Sequence, residues 1–147
     1  MVIYRSRSFW PKVSEYDQWH ERIQDKPRKY RYQLSYNKNE KEYTDTAQHG
    51  GTAITITEAI AHHVIKRGSD KSGLGRWSWV LIQGKHKTLV RIVSAYRPYN
   101  SDEANSVMMQ HYRHFKKEDR RDEYGKIINP RTAFYNDLKA KIKIWKE

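Results

Sequence analysis

Arg76, Arg97 and Lys71 are the side chains whose types and spacing best fit a chemistry, and that chemistry is anion binding. A guanidinium is a planar fork that matches two oxygens of a phosphate, and an ammonium adds a mobile positive point charge. Arg76 stands directly before the run Trp77 to Gln83, and Arg97 directly after the run Thr88 to Tyr96. If the two runs are arms of one antiparallel hairpin, both arginines fall at the same end of the sheet. With Lys71 they would form one phosphate-binding edge, although either arginine alone better fits an ordinary charged rim. Other chemistries find less support. Of the seven histidines, His62 and His63 are adjacent, and His111 and His114 are three apart with no third ligand at useful spacing. Ser78, Ser94 and Ser106 lack a nucleophile-elbow context. Gly73-Leu74-Gly75 precedes a strand instead of opening a helix, so it is not a dinucleotide fingerprint.

The elements that must position these groups are legible in the pattern. Trp77 to Gln83 and Thr88 to Tyr96 are rich in β-branched and aromatic residues, and Gly84-Lys85-His86-Lys87 is a polar turn, which predicts a hairpin. Trp77 and Trp79 share a face by period two and fit packing better than base stacking. Upstream, Tyr30, Tyr32, Leu34 and Tyr36 alternate with polar residues and predict a half-buried strand. Gly50-Gly51 opens a second strand over Thr52 to Thr57, with Ile54 and Ile56 on one side, the threonines on the other and the hairpin as its neighbour. Helical spacing marks Pro11 to Ile23, Glu58 to Ile65, a helix from Asp102 with Ser101 as its cap, and a last helix beginning at Pro130 with the stripe Phe134, Leu138, Ile142 and Trp145. Gly68 and Ser69 to Gly73 read as a break, and Asn37 to His49 as a polar surface loop.

Length and charge bound the function. The 147 residues suit one folded unit with a core. Lys and Arg number 29 against 17 Asp and Glu, a net charge of +12, which favours a polyanionic partner, DNA or RNA. The excess concentrates in the middle: from His62 to Pro98 the only acid is Asp70. There is no cysteine, hence no disulfide or thiolate zinc site, which fits a reducing, intracellular compartment, cytoplasmic or nuclear. No apolar run suits a membrane span. Eleven Tyr and five Trp among so many cations also fit stacking on bases.

The segment Gly73 to Asn100, together with Gly50 to Ile56, resembles the central part of the endonuclease/exonuclease/phosphatase superfamily, in particular the nuclease-like domains of reverse-transcriptase elements. The resemblance runs from about Phe9 to the C-terminus and covers the middle of that domain. It implies an α/β fold, part of a four-layer α-β-β-α sandwich, with an antiparallel or mixed sheet of about four strands and helices flanking one face. The other sheet face is then expected to be uncovered and open to self-association or to a complementing polypeptide. The resemblance also places Tyr96, in Ala95-Tyr96-Arg97-Pro98, where relatives carry an active-site residue near the scissile phosphate, and a phenol there can donate a hydrogen bond to a phosphate oxygen. In the DNA-repair branch an Asn follows that Tyr by three residues. Here Tyr99 takes that place and Asn100 comes one step later.

Several family features are not recognisable in the sequence. The early Asn and Glu, the Gly-Asp-x-Asn segment and the late Asp-His pair that bind a divalent metal have no counterparts, so no metal ligand is assigned. Magnesium is implied only for a complete family member, and no cofactor is expected in this chain. A fragment, a split protein and a shortened relative all fit. The expectation is thus a partial or degenerate endonuclease-like domain with nucleic-acid-binding residues Lys71, Arg76, Arg97 and Asn100 and a phosphate contact at Tyr96. The alternative is a non-catalytic, basic nucleic-acid-binding or ribonucleoprotein component.

Overall fold

Strand-forming composition concentrates in the first two thirds of the chain and helical periodicity in the last third, and the structure separates along that line. The computed structural model describes residues 2–4, 30–36 and 50–146. It divides into two compact units, Met1–Tyr96 and Arg97–Glu147. The helix expected from Pro11 to Ile23 and the loop from Asn37 to His49 lie outside the described residues.

The first unit holds two three-stranded antiparallel sheets. In one, β3 (Gly51–Thr57) lies between β1 (Val2–Tyr4) and β2 (Tyr30–Tyr36). In the other, β5 (Trp77–Gln83) lies between β4 (Val64–Ser69) and β6 (Leu89–Ala95). The hairpin therefore forms as expected, with Trp77 opposite Ala95 and Gln83 opposite Leu89. Its tip is a tight turn in which His86 and Lys87 both take left-handed backbone conformations, φ 55° and 62°, while the Thr88 N–H donates to the Lys85 carbonyl.

Two expectations for this region are corrected. β3 does not pair with the hairpin. One helical turn, α1 (Glu58–Ala61), carries the chain away from β3, and the next strand joins the hairpin instead. The residues from Val64 onward, which read as helix and then break, are that strand. The Gln83 N–H donates to the His63 carbonyl, and β4 continues the ladder, so edge pairing overrides the local helical spacing. Gly68 is no breaker but a packing position: a Cβ there would stand 2.8 Å from the indole of Trp79.

The sheets face each other through Ile54 and Ile56 of β3 and Val80 of β5, with Ala61, Val64, Ile82 and Ile92 packed around them. The expected single sheet with one uncovered face is thus replaced by two sheets sharing a core. Directly opposed residues share a face, so Gln33 and Ser35, which pair with Ile54 and Thr52, lie on the inner side, and Leu34 on the outer. Thr52 shares the face of Ile54, contrary to the expected segregation of the threonines. By the same rule Ser78 and its neighbours Ser69 and Ser94 join Val80 on the inner face. One end of this core is consequently hydroxyl-rich.

In the second unit, α2 (Val107–Lys117) starts later than expected: Ser106, not Ser101, is its cap, accepting from the Met109 N–H at 3.2 Å. Ser101 instead accepts from the Glu103 N–H in the preceding turn. Helix α3 (Pro130–Lys146) begins at the expected proline, with Asn129 accepting from the Arg131 N–H. Phe134 of its stripe is buried, Leu138 and Trp145 are half-buried and Ile142 is exposed. The charged segment between the helices is ordered by its own carboxylates. Asp122 accepts from the Tyr124 and Lys126 N–H groups, and Arg120, above the Phe115 ring, makes a two-bond fork with Asp137 of α3. Among the described residues no helix is long and apolar enough to cross a membrane.

Candidate nucleic-acid interface

The end of the second sheet where β4 finishes, β5 begins and β6 finishes is built by backbone bonds among the residues singled out from the sequence. The Asp70 N–H donates to the Trp77 carbonyl at 2.9 Å, and the Tyr96 N–H donates to the Arg76 carbonyl at 2.8 Å. Asp70, Arg76 and Tyr96 therefore meet at one sheet end. Lys71 follows Asp70 and is exposed, and Tyr96 is half-buried. Arg97 and Asn100, both exposed, belong to the second unit, so the expected edge is divided between the two units.

Arg76 departs from its expected role. Its guanidinium donates from Nε to Asp70 Oδ2 at 2.7 Å and from Nη2 to Oδ1 at 3.2 Å, and both side chains are only 3% exposed. The Ser72 hydroxyl and N–H add bonds to the same carboxylate, at 2.5 and 3.1 Å, and the guanidinium carbon lies 4.5 Å from the Trp77 ring centre. Arg76 is thus the buried partner of Asp70, not a surface ligand. Burial, the largest influence on the Asp70 carboxyl, pushes its pKa up, but the Arg76 hydrogen bond and charge with the two Ser72 bonds outweigh it and hold the group below its ordinary value. The only signal in the sequence is the Asp-x-Ser spacing of a local carboxylate turn; the long-range partner was missed.

This pairing shapes the surrounding field. The single acid between His62 and Pro98 is neutralised internally, while Lys66, Arg67, Lys71, Lys85 and Lys87 remain exposed around the second sheet. Arg91 lies over the Trp79 ring at 4.8 Å, and Trp77 is buried, in keeping with packing roles for both indoles.

Asn100 lines a cleft of about 310 Å³ within the second unit, together with Ser101, Met108, Met109, Tyr112 and Asn129. Apart from Asn100, nothing in the sequence reading pointed to this cleft. Its wall comes from one face of α2 and the segment leading into α3.

Among the described residues no three His, Asp or Glu side chains are grouped so as to hold a metal ion. His62 and His63 are exposed, His111 is fully buried, and His114 Nε2 lies 3.1 Å from Glu118 Oε1. The magnesium implied for a complete family member finds no donor set among the described residues. Comparison with family models, curated proteins and solved structures finds no match to this chain.

Proposed function

We propose that this chain is an endonuclease-like domain of the endonuclease/exonuclease/phosphatase type that binds nucleic-acid phosphates and does not cleave them unless further segments complete a metal site. In this reading the two facing sheets are the inner layers of a four-layer sandwich. The observation that carries the binding is electrostatic: Asp70 is consumed by Arg76, and the sequence from His62 to Pro98 holds no other acid to set against the exposed Lys66, Lys71, Lys85 and Lys87. Such a field attracts polyanions and releases their condensed counterions on contact. Within the first unit Lys71 is a mobile phosphate ligand and Tyr96 contributes its phenol at the strand end; within the second, Arg97 is a phosphate ligand by itself and Asn100 offers a neutral amide to the nucleic acid. Arg76 acts from beneath by fixing the Asp70 turn from which Lys71 projects.

Fluorescence anisotropy with labelled DNA and RNA strands tests this directly. Affinity should fall steeply between about 50 and 200 mM salt, because each neutralised phosphate contributes to the slope; a flat response would remove phosphate contact as the source of affinity. Arg97→Ala should weaken binding by about 1–3 kcal/mol, the range for a charge-assisted hydrogen bond, with much smaller losses for Lys139→Ala or Lys141→Ala on α3. Equal losses at all three positions would mean a diffuse electrostatic surface. Plasmid DNA incubated with the purified chain and magnesium should remain intact, and turnover abolished by EDTA would overturn the non-cleaving assignment.

A further inference from the structure

The cleft of the second unit has a chemistry that phosphate binding does not use. Its apolar part is formed by Met108, Met109 and Tyr112, with Tyr112 36% exposed and so presenting an accessible ring. Its polar part includes two carboxamides, Asn100 and Asn129, beside Ser101 and Asp102. The Asn129 carbonyl oxygen accepts from the Arg131 N–H, leaving the NH₂ group as a donor, while Asn100 is exposed and offers both a donor and an acceptor. The volume, about 310 Å³, lies at the small end of ligand pockets. Asp102, also on the lining and exposed, carries a negative charge that disfavours a phosphate inside the cleft. This lining suits an occupant that is small, not anionic, planar enough to lie on a tyrosine ring and a polarizable thioether, and edged with hydrogen-bond donors and acceptors.

We propose that this cleft binds an unstacked nucleobase, rather than phosphate. Bases splayed from a strand are held in this way, by stacking on aromatic side chains and by amide hydrogen bonds to their edges. The proposal rests on the nucleic-acid reading for its biological setting, because Asn100 follows Arg97 by three residues and a strand held at Arg97 would present its bases nearby. The chemistry of the cleft is independent of that reading.

An uncharged nucleoside is the discriminating probe, since it carries the base without the phosphate. The full-length chain, labelled at its methionine methyl groups, is titrated with adenosine and with cytidine and followed by NMR. Saturable shifts at the Met108 and Met109 methyls are expected with at least one of the two. Tyr112→Ala should weaken that binding about tenfold, the scale of a single base–aromatic stack, whereas Tyr112→Phe should retain it. Asn100→Ala should reduce the preference between the two nucleosides. Absence of shifts at both methyls at nucleoside saturation, or equal affinity of wild type and Tyr112→Ala, would overturn the proposal. Failure of the phosphate reading would show separately, as a flat salt dependence for strand binding, and leaves the nucleoside result standing.

Discussion

At the scale of single residues, the Asp70–Arg76 pair has the largest consequences. Removing one member of a buried ion pair strands the other charge in a poorly solvated site, so Asp70→Asn or Arg76→Met alone should cost about 3–5 kcal/mol in denaturant unfolding. The double variant should cost clearly less than the sum, because no unpaired charge remains. The pair also gives the chain an acid sensitivity. The folded Asp70 carboxyl has a lowered pKa, so the unfolded chain takes up that proton at higher pH than the folded chain. Its stabilising contribution is complete above the ordinary value of about 3.9 and is lost as pH falls through the lower folded value. A plot of unfolding midpoint against pH should accordingly fall less steeply at its acid end in the double variant. A different residue-scale outcome is expected at Ser78 and Thr52. Both hydroxyls are buried in the inner layer between the sheets and, among the described residues, have no hydrogen-bond partner. Since an unsatisfied buried hydroxyl carries its desolvation cost, Ser78→Ala and Thr52→Val should leave the thermal midpoint unchanged or raise it. A clear drop would mean that an internal water satisfies these groups.

At the scale of elements, the hairpin tip and the edge strand carry opposite lessons about backbone. His86 and Lys87 occupy consecutive left-handed positions in the pattern of a type I′ turn, where Asn-Gly is the favoured pair. Replacing them together by Asn-Gly should stabilise the hairpin by about 1 kcal/mol, the order of the left-handed penalty for a residue with a Cβ. The same change removes a charge from the exposed tip, so strand binding and denaturant stability should move in opposite directions. At Gly68 the constraint is space, not backbone. Gly68→Ala would drive a methyl into the Trp79 indole and should destabilise by about 1–3 kcal/mol, as overpacking does. Trp79 fluorescence would report the displaced ring.

For the whole molecule, the central feature is that the first unit pairs its buried acid with one arginine and keeps most of its other cations at the surface. Of the stretch from His62 to Pro98, the acid lies inside a bidentate pair and most of the cations lie outside. Net charge of +12 alone would describe a soluble polycation. The internal use of Asp70 turns a compositional excess into a localised field around the second sheet. The second unit adds a cleft lined by two carboxamides and the Asp102 carboxylate.

What the sequence determined by itself were the features fixed by neighbours along the chain. The hairpin from Trp77 to Ala95, the strand over Tyr30–Tyr36, the start of α3 at Pro130 and the basic middle all follow from local alternation, turn residues, proline geometry and charge. Tertiary structure decided the choices that depend on partners distant in sequence. It placed β3 between β1 and β2, in a different sheet from the hairpin, and drew Val64–Ser69 into an edge strand. It also set Ser106 as the cap of α2, buried Arg76 on Asp70 and brought Asn100 and Asn129 to one cleft. The physical reason is that an alternating pattern gives a strand its two faces but not its neighbour, and an arginine gives a charge but not its counterion. Both are chosen by the burial and desolvation energies of the assembled fold, which no short window of residues contains.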